Sequence, residues 1–171
     1  KEGPAKSMNT LLQLRQVDPH FSEESFIGNL SNKLMSICYA ESMEEIRPFA
    51  ECDMTPFIQN YRTVVDCKLL ECVLMDFQIK GEYQYLTVKL RLDLTLYENG
   101  RVGKAGTHLM LGLVKSIRAV TQSIHDVNVY HCNSCGRSLS LLNGGRCEYC
   151  GTRLNLKEYD WVIGQYEFLQ G

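Results

Sequence analysis

The sequence predicts an α+β protein: a helical first third, a long antiparallel meander, and a small cysteine-built insertion ahead of the last strand. Three stretches carry that expectation. From Ser22 to Cys38 apolar residues recur at helical spacing, and from Leu86 to Leu96 they alternate strictly over eleven residues. From Cys132 to Cys150 two Cys-x-x-Cys pairs, each followed at once by glycine, stand with eleven residues between Cys135 and Cys147. A chain of 171 residues can form one domain with a good core plus a small satellite. Its 44% hydrophobic and 22% charged residues are those of an ordinary globular protein.

Residues 1–17 have mixed polarity and no caps, and read as a linker with at most a loose helical turn around Leu11, Leu12 and Leu14. The α+β domain, expected over residues 18–130 and 158–171, opens at Asp18-Pro19-His20-Phe21-Ser22. Ser22 can cap a helix whose first turn carries Glu23 and Glu24, well placed against the dipole. Phe26, Ile27, Leu30, Leu34, Ile37 and Cys38 give it one apolar face. Ser42-x-x-Glu45 is a capping box for a second, short helix halted near Pro48. Thr55-Pro56 starts a third, with Phe57, Ile58 and Tyr61 inward.

After Arg62 the period changes to two. Val73, Met75, Phe77 and Ile79 form one face of a strand, and Lys80-Gly81-Glu82 turns the chain. The run Leu86 to Leu96 is a strand with one buried and one wet face. Glu98-Asn99-Gly100-Arg101 signals a type I′ hairpin, and the returning strand spans Thr107 to Lys115, with Gly103, Gly106 and Gly112 as sites of bending. A short strand from Val127 to Tyr130 leads into the insertion, and Tyr159 to Phe168 is the last strand. Three helices on one face of a bent sheet make a cone with a hollow.

The insertion, residues 131–157, has its own logic. Cys132, Cys135, Cys147 and Cys150 supply four thiolates that can close a tetrahedral Zn2+ site. Glycine after each pair suits a tight knuckle, because it enters positive φ without steric cost. Cys135-Gly-Arg-Ser-Leu139-Ser-Leu141 repeats as Cys150-Gly-Thr-Arg-Leu154-Asn-Leu156, and Asn143-Gly144-Gly145 between them is hairpin chemistry. This is the pattern of a zinc ribbon holding one structural ion, since four sulfurs leave no open position for water or substrate. A redox dithiol is the rival reading of any Cys-x-x-Cys, which two matched pairs disfavour. His131 is not needed as a ligand and reads as solvent-facing.

The net charge of -2 argues against nucleic acid as a partner. Within the ribbon and its exit, Arg137, Arg146, Arg153 and Lys157 are offset by Glu148, Glu158 and Asp160 before the thiolates add their own charge. A thiolate site needs reducing surroundings, so an intracellular, cytoplasmic-side location is expected, with Cys38, Cys52, Cys67 and Cys72 as free core or strand thiols. No apolar run approaches 18 residues, the longest being Leu109 to Val114. The chain begins at Lys1 without a signal-peptide pattern, and reads as a fragment of something longer.

Asp18-Pro-His-Phe-Ser-Glu-Glu-Ser-Phe26, Arg47-Pro-Phe49, the aromatic-rich hairpin and Glu158-Tyr-Asp-Trp161-Val-Ile163, in that order, resemble the inner-membrane translocase subunit 44-like domain. They are most similar to its bacterial members with a zinc ribbon before the Tyr-Asp-Trp-Val strand. The resemblance spans about Asp18 to Phe168. It implies a nuclear-transport-factor-2-like, cystatin-like cone. The mitochondrial members dock the import motor's chaperone to the translocon and can bind acidic lipid, and the bacterial ones are mostly described as transport or membrane-associated proteins. The ribbon departs from the mitochondrial form, and no basic amphipathic helix for membrane contact is evident.

Two functions follow as expectations. The first is a non-catalytic binding module for a protein partner or a hydrophobic segment, tethered near the inner membrane through upstream sequence; no nucleophile–base pair or phosphate loop is evident. The second is an enzyme or small-molecule binder using the cone's cavity, with His108 as general base and Asp76 or Asp93 as its orienter.

Overall fold

The computed structural model describes residues 3–57, 63–121, 130–139 and 146–169. Among the described residues four helical segments, α1 (Gly3–Val17), α2 (Glu23–Tyr39), α3 (Met43–Ile46) and a turn at 55–57, one more than the three expected, precede strands β1 (Val64–Lys80), β2 (Tyr83–Glu98) and β3 (Arg101–Ser116). Two short strands, β4 (Tyr130–His131) and β5 (Ser138–Leu139), belong to the cysteine insertion, and β6 (Val162–Leu169) closes the chain. The large sheet is antiparallel in the order β1-β2-β3-β6, so the insertion lies between two neighbouring strands and β6 returns to the edge that β3 left open. Both α1 and α2 pack against β1.

The helix expected at Ser22 forms for the expected reason. Ser25 N donates to Ser22 Oγ at 3.3 Å, and Phe26, Leu30, Leu34, Ile37 and Cys38 are buried. At α3 the capping box closes one residue early: the Glu45 carboxylate accepts from Glu41 N at 2.6 Å, and the Ser42 side chain makes no cap bond. Residues 55–57 are helical, with Thr55 N held by Asp53 Oδ1 at 2.9 Å and Phe57 buried. The expected inward positions of Ile58 and Tyr61 lie outside the described residues.

The segment read as a linker is instead helix α1. Leu14 is fully buried, Leu11 and Val17 pack on the core, and Ser7 Oγ accepts the N–H of Leu74 on β1 at 3.3 Å. The first turn of α1 carries no acidic residue, so the sheet rather than a local start signal holds this helix in place.

The meander shows why alternation alone misplaces a face. On β2 every second residue from Gln84 to Leu94 is buried, as the pattern requires. On β1 the pairing with β2 shifts between Val64 and Asp66, Leu69 and Glu71, and Leu74 and Asp76. Each irregularity adds a residue, so the core-facing set is Val64, Cys67, Leu69, Cys72, Leu74 and Phe77. Of the four residues expected on one face only Phe77 is buried; Val73 and Met75 are half-buried and Ile79 is exposed.

Turns behave as expected. Asn99 (φ 52°) and Gly100 (φ 75°) join paired Glu98 and Arg101, the two positive φ values of a type I′ turn. Strand β3 begins six residues before the expected Thr107, in unbroken register with β2, so Gly103 and Gly106 sit in regular ladder. Gly112 does mark an irregularity, in the pairing with β6; a Cβ there would lie 2.6 Å from Gln165 Cγ. Strand β6 starts at Val162, after a 3-10 turn at Leu156–Glu158, and Ile163 also bridges the Phe49–Glu51 segment: Ile163 N donates to Phe49 O at 2.8 Å and Glu51 N to Ile163 O at 2.9 Å. Trp161 enters the main core edge-on to Phe26 at 6.2 Å.

Candidate metal centre

Each half of the insertion is a reverse turn closed by its own backbone. Cys132 N donates to Arg137 O at 2.9 Å and Gly136 N to Cys132 O at 2.8 Å; fifteen residues on, Cys147 N donates to Thr152 O at 2.9 Å and Gly151 N to Cys147 O at 3.0 Å. Gly136 (φ 77°) and Gly151 (φ 74°) hold the left-handed conformation that reverses the chain. The flanking pairs match as well, His131 with Ser138 on β4 and β5, and Arg146 with Arg153 as an isolated bridge. The repeat read in the sequence is a repeat in structure. The expected strand from Val127 and turn at Asn143-Gly144-Gly145 fall largely outside the described residues.

The knuckles bring the four sulfurs together, with all pairs within 4.8 Å. Cys132 Sγ lies 3.8 Å from Cys150 Sγ, and Cys135 Sγ 3.7 Å from Cys147 Sγ. A tetrahedron of sulfurs about 2.3 Å from a central ion has edges of about 3.8 Å. The cluster can therefore hold one metal ion. Donors are already aimed at sulfur: Ser134 N at Cys132 Sγ and Tyr149 N at Cys147 Sγ, each at 3.4 Å. The N–H groups of Cys135 and Ser134 lower the pKa of Cys132, and Thr152, through its hydroxyl and its N–H, brings that of Cys150 down to about 6. Both effects favour the thiolate that a metal needs, whereas at Cys135 the lowering by the Arg137 N–H is outweighed by desolvation and the neighbouring sulfurs, which push the thiol up to about 11. Cys132 and Cys147 are buried with Leu139 and Leu154, while Cys135 and Cys150 face outward.

Three side chains whose roles the sequence reading missed, those of Tyr159, Tyr83 and Lys157, fasten this unit. Tyr159 Oη donates to His131 O at 2.9 Å and accepts from Asn133 N at 3.2 Å, tying the exit of the insertion to its first knuckle. Tyr83 Oη on β2 donates to Glu158 Oε1 at 2.6 Å. Lys157 Nζ reaches Glu51 Oε2 at 3.2 Å and lies 4.7 Å over the Tyr83 ring. All three join residues far apart in the chain, where no short motif can signal them.

His131 is exposed and outside the sulfur cluster, as expected. His108 is half-buried on β3 opposite Arg91. Asp93 pairs with Lys104 at 3.6 Å, and Asp76 is exposed, accepting from Gln78 Nε2 at 2.9 Å. No hydrogen bond joins His108 to either carboxylate among the described residues. Cys38, Cys52, Cys67 and Cys72 are free thiols. No helix among the described residues is long and apolar enough to cross a membrane.

Fold and site together define an antiparallel α+β domain interrupted by a four-cysteine double knuckle. Comparison with protein-family models, with curated proteins and with solved structures finds no match.

Proposed function

We propose that this chain is a non-catalytic binding or scaffold module whose double knuckle is a structural zinc ribbon. The observation that carries the reading is the sulfur tetrahedron itself. Four protein thiolates complete the coordination sphere, so a bound ion has no free position at which to polarise a substrate or activate water. Zn2+ suits an all-sulfur tetrahedral set, because it has no geometric preference of its own and no redox state to lose. The ion's work is then to fold a segment too small to fold by burial alone.

Around it, the resemblance to ribbon-bearing translocase subunit 44-like domains supports a nuclear-transport-factor-2-like cone that engages a protein partner or a hydrophobic segment near the inner membrane. His108 supports this choice over the catalytic alternative, because it sits opposite Arg91 and, among the described residues, has no hydrogen bond to Asp76 or Asp93, which are engaged with Gln78 and Lys104. Purified protein should contain one zinc per chain by elemental analysis, and Cys132→Ser and Cys150→Ser variants should contain none. Stoichiometric metal in either variant defeats the four-thiolate assignment. Crosslinking of the protein in cells tests the partner: recovery of a translocation or membrane-assembly component supports the module, and turnover of a small substrate by the pure protein contradicts it.

A further inference from the structure

Of the eight cysteines only Cys135 and Cys150 are exposed. Cys38 and Cys67 are buried in the main core, and Cys52 and Cys72 are half-buried thiols whose pKa burial raises, that of Cys72 to about 12. Oxidants attack the accessible thiolate, so these four are poor targets. The two outward sulfurs of the knuckles differ on both counts: solvent reaches them, and a bound metal ion holds them deprotonated.

Each outward sulfur has a buried one beside it, and that neighbour belongs to the other knuckle. Cys150 Sγ lies 3.8 Å from Cys132 Sγ, and Cys135 Sγ 3.7 Å from Cys147 Sγ. The knuckles also meet through hydroxyls, since Thr152 Oγ1 is 3.1 Å from Cys150 Sγ and 3.4 Å from Ser134 Oγ. A disulfide sets its sulfurs about 2.05 Å apart, so closing either gap takes about 1.7 Å shared between two side chains. Leu139 and Leu154 pack around Cys132 and Cys147, which shields the inner sulfurs until a partner turns to them.

We propose that the sulfur cluster is also an oxidation site for hydrogen peroxide, at which each outward sulfur is attacked and the buried sulfur of the other knuckle resolves it, leaving disulfides Cys132–Cys150 and Cys135–Cys147. The proposal rests on the ribbon reading above. At each pair the outward thiolate takes one oxygen of the peroxide as its O–O bond breaks, giving a sulfenic acid and hydroxide. The buried thiolate then attacks that sulfur, an S–S bond forms, and a second hydroxide leaves. Two protons turn both hydroxides into water. Two peroxides therefore accept four electrons from four thiolates, and the ion is set free without ligands. The insertion exchanges its metal for two covalent links between the knuckles.

The metal-loaded full chain is treated with hydrogen peroxide while a metal-sensitive dye follows release, and the non-reduced digest is read by tandem mass spectrometry. The expected result is the loss of four thiols for each zinc released, with peptides joined through Cys132–Cys150 and Cys135–Cys147 and with Cys52 and Cys72 unmodified. Reduction with added zinc should restore the loaded form. Any other pairing of the four sulfurs, sulfinic acid without a disulfide, or metal retained while Cys52 or Cys72 is oxidised overturns the proposal. A preparation that holds no zinc before peroxide is added fails the ribbon reading instead, and the disulfide map of that same sample still decides this one.

Discussion

The sheet domain and the cysteine insertion are held together by different physics. In the domain, residues from every major element, among them Leu14, Leu34, Leu74, Leu90, Leu111 and Ile163, meet in one buried apolar cluster. The insertion's cluster consists of Cys132, Leu139, Cys147 and Leu154, with Leu156 and Tyr159 packed against it. Two of its four buried residues belong to the sulfur cluster. Two leucines, worth about 1.5–3 kcal/mol each when fully buried, cannot order a segment of this length. Burial fixes the domain, and we expect a metal ion held by the four sulfurs to fix the insertion. A perturbation of one should leave the other standing.

The largest expected effect comes from breaking the tetrahedron. Cys132→Ser or Cys150→Ser should release the ion and unfold both knuckles, while far-ultraviolet circular dichroism retains the helices and meander. Lowering the pH should do the same reversibly, because protons compete with the ion for the thiolates and metal is lost as the pH falls. A metal-sensitive dye should register release before the domain unfolds.

The reverse experiment alters the domain. Leu90 on β2 is fully buried, and Leu90→Ala should lower global stability by about 2–5 kcal/mol in urea unfolding. Metal stoichiometry should stay at one per chain in native buffer. A smaller effect follows at the seam: Tyr159→Phe removes a hydroxyl that makes two bonds to the first knuckle, and should weaken metal retention by about 1–2 kcal/mol with little change in domain melting. Smallest is Gly100→Ala at the β2–β3 turn, where φ of 75° costs a side chain about 1 kcal/mol. That change should appear in domain melting and not in metal retention.

The same contrast explains what could be read from the sequence. The knuckles were legible because their chemistry is local: cysteine, two residues, cysteine, glycine, with the sulfur donors and the left-handed glycine supplied within six residues. Strand β2 was legible because its register is unbroken. Strand β1 was not, because three irregularities rotate its faces and no single residue announces them. Helix α1 was missed because its stability comes from Leu14 and Ser7 meeting β1 some sixty residues later, not from its own caps. The fastening of the insertion through Tyr83, Glu51 and Tyr159 is long-range in the same way.

Hydrogen exchange on the wild-type chain, with and without a strong zinc chelator, tests the division of labour most directly. Chelation should abolish protection of the Cys132, Gly136, Cys147 and Gly151 amides, which close the knuckles, and leave the β2 and β3 amides protected. Knuckle amides that stay protected without metal, or strands that lose protection with it, would contradict the account.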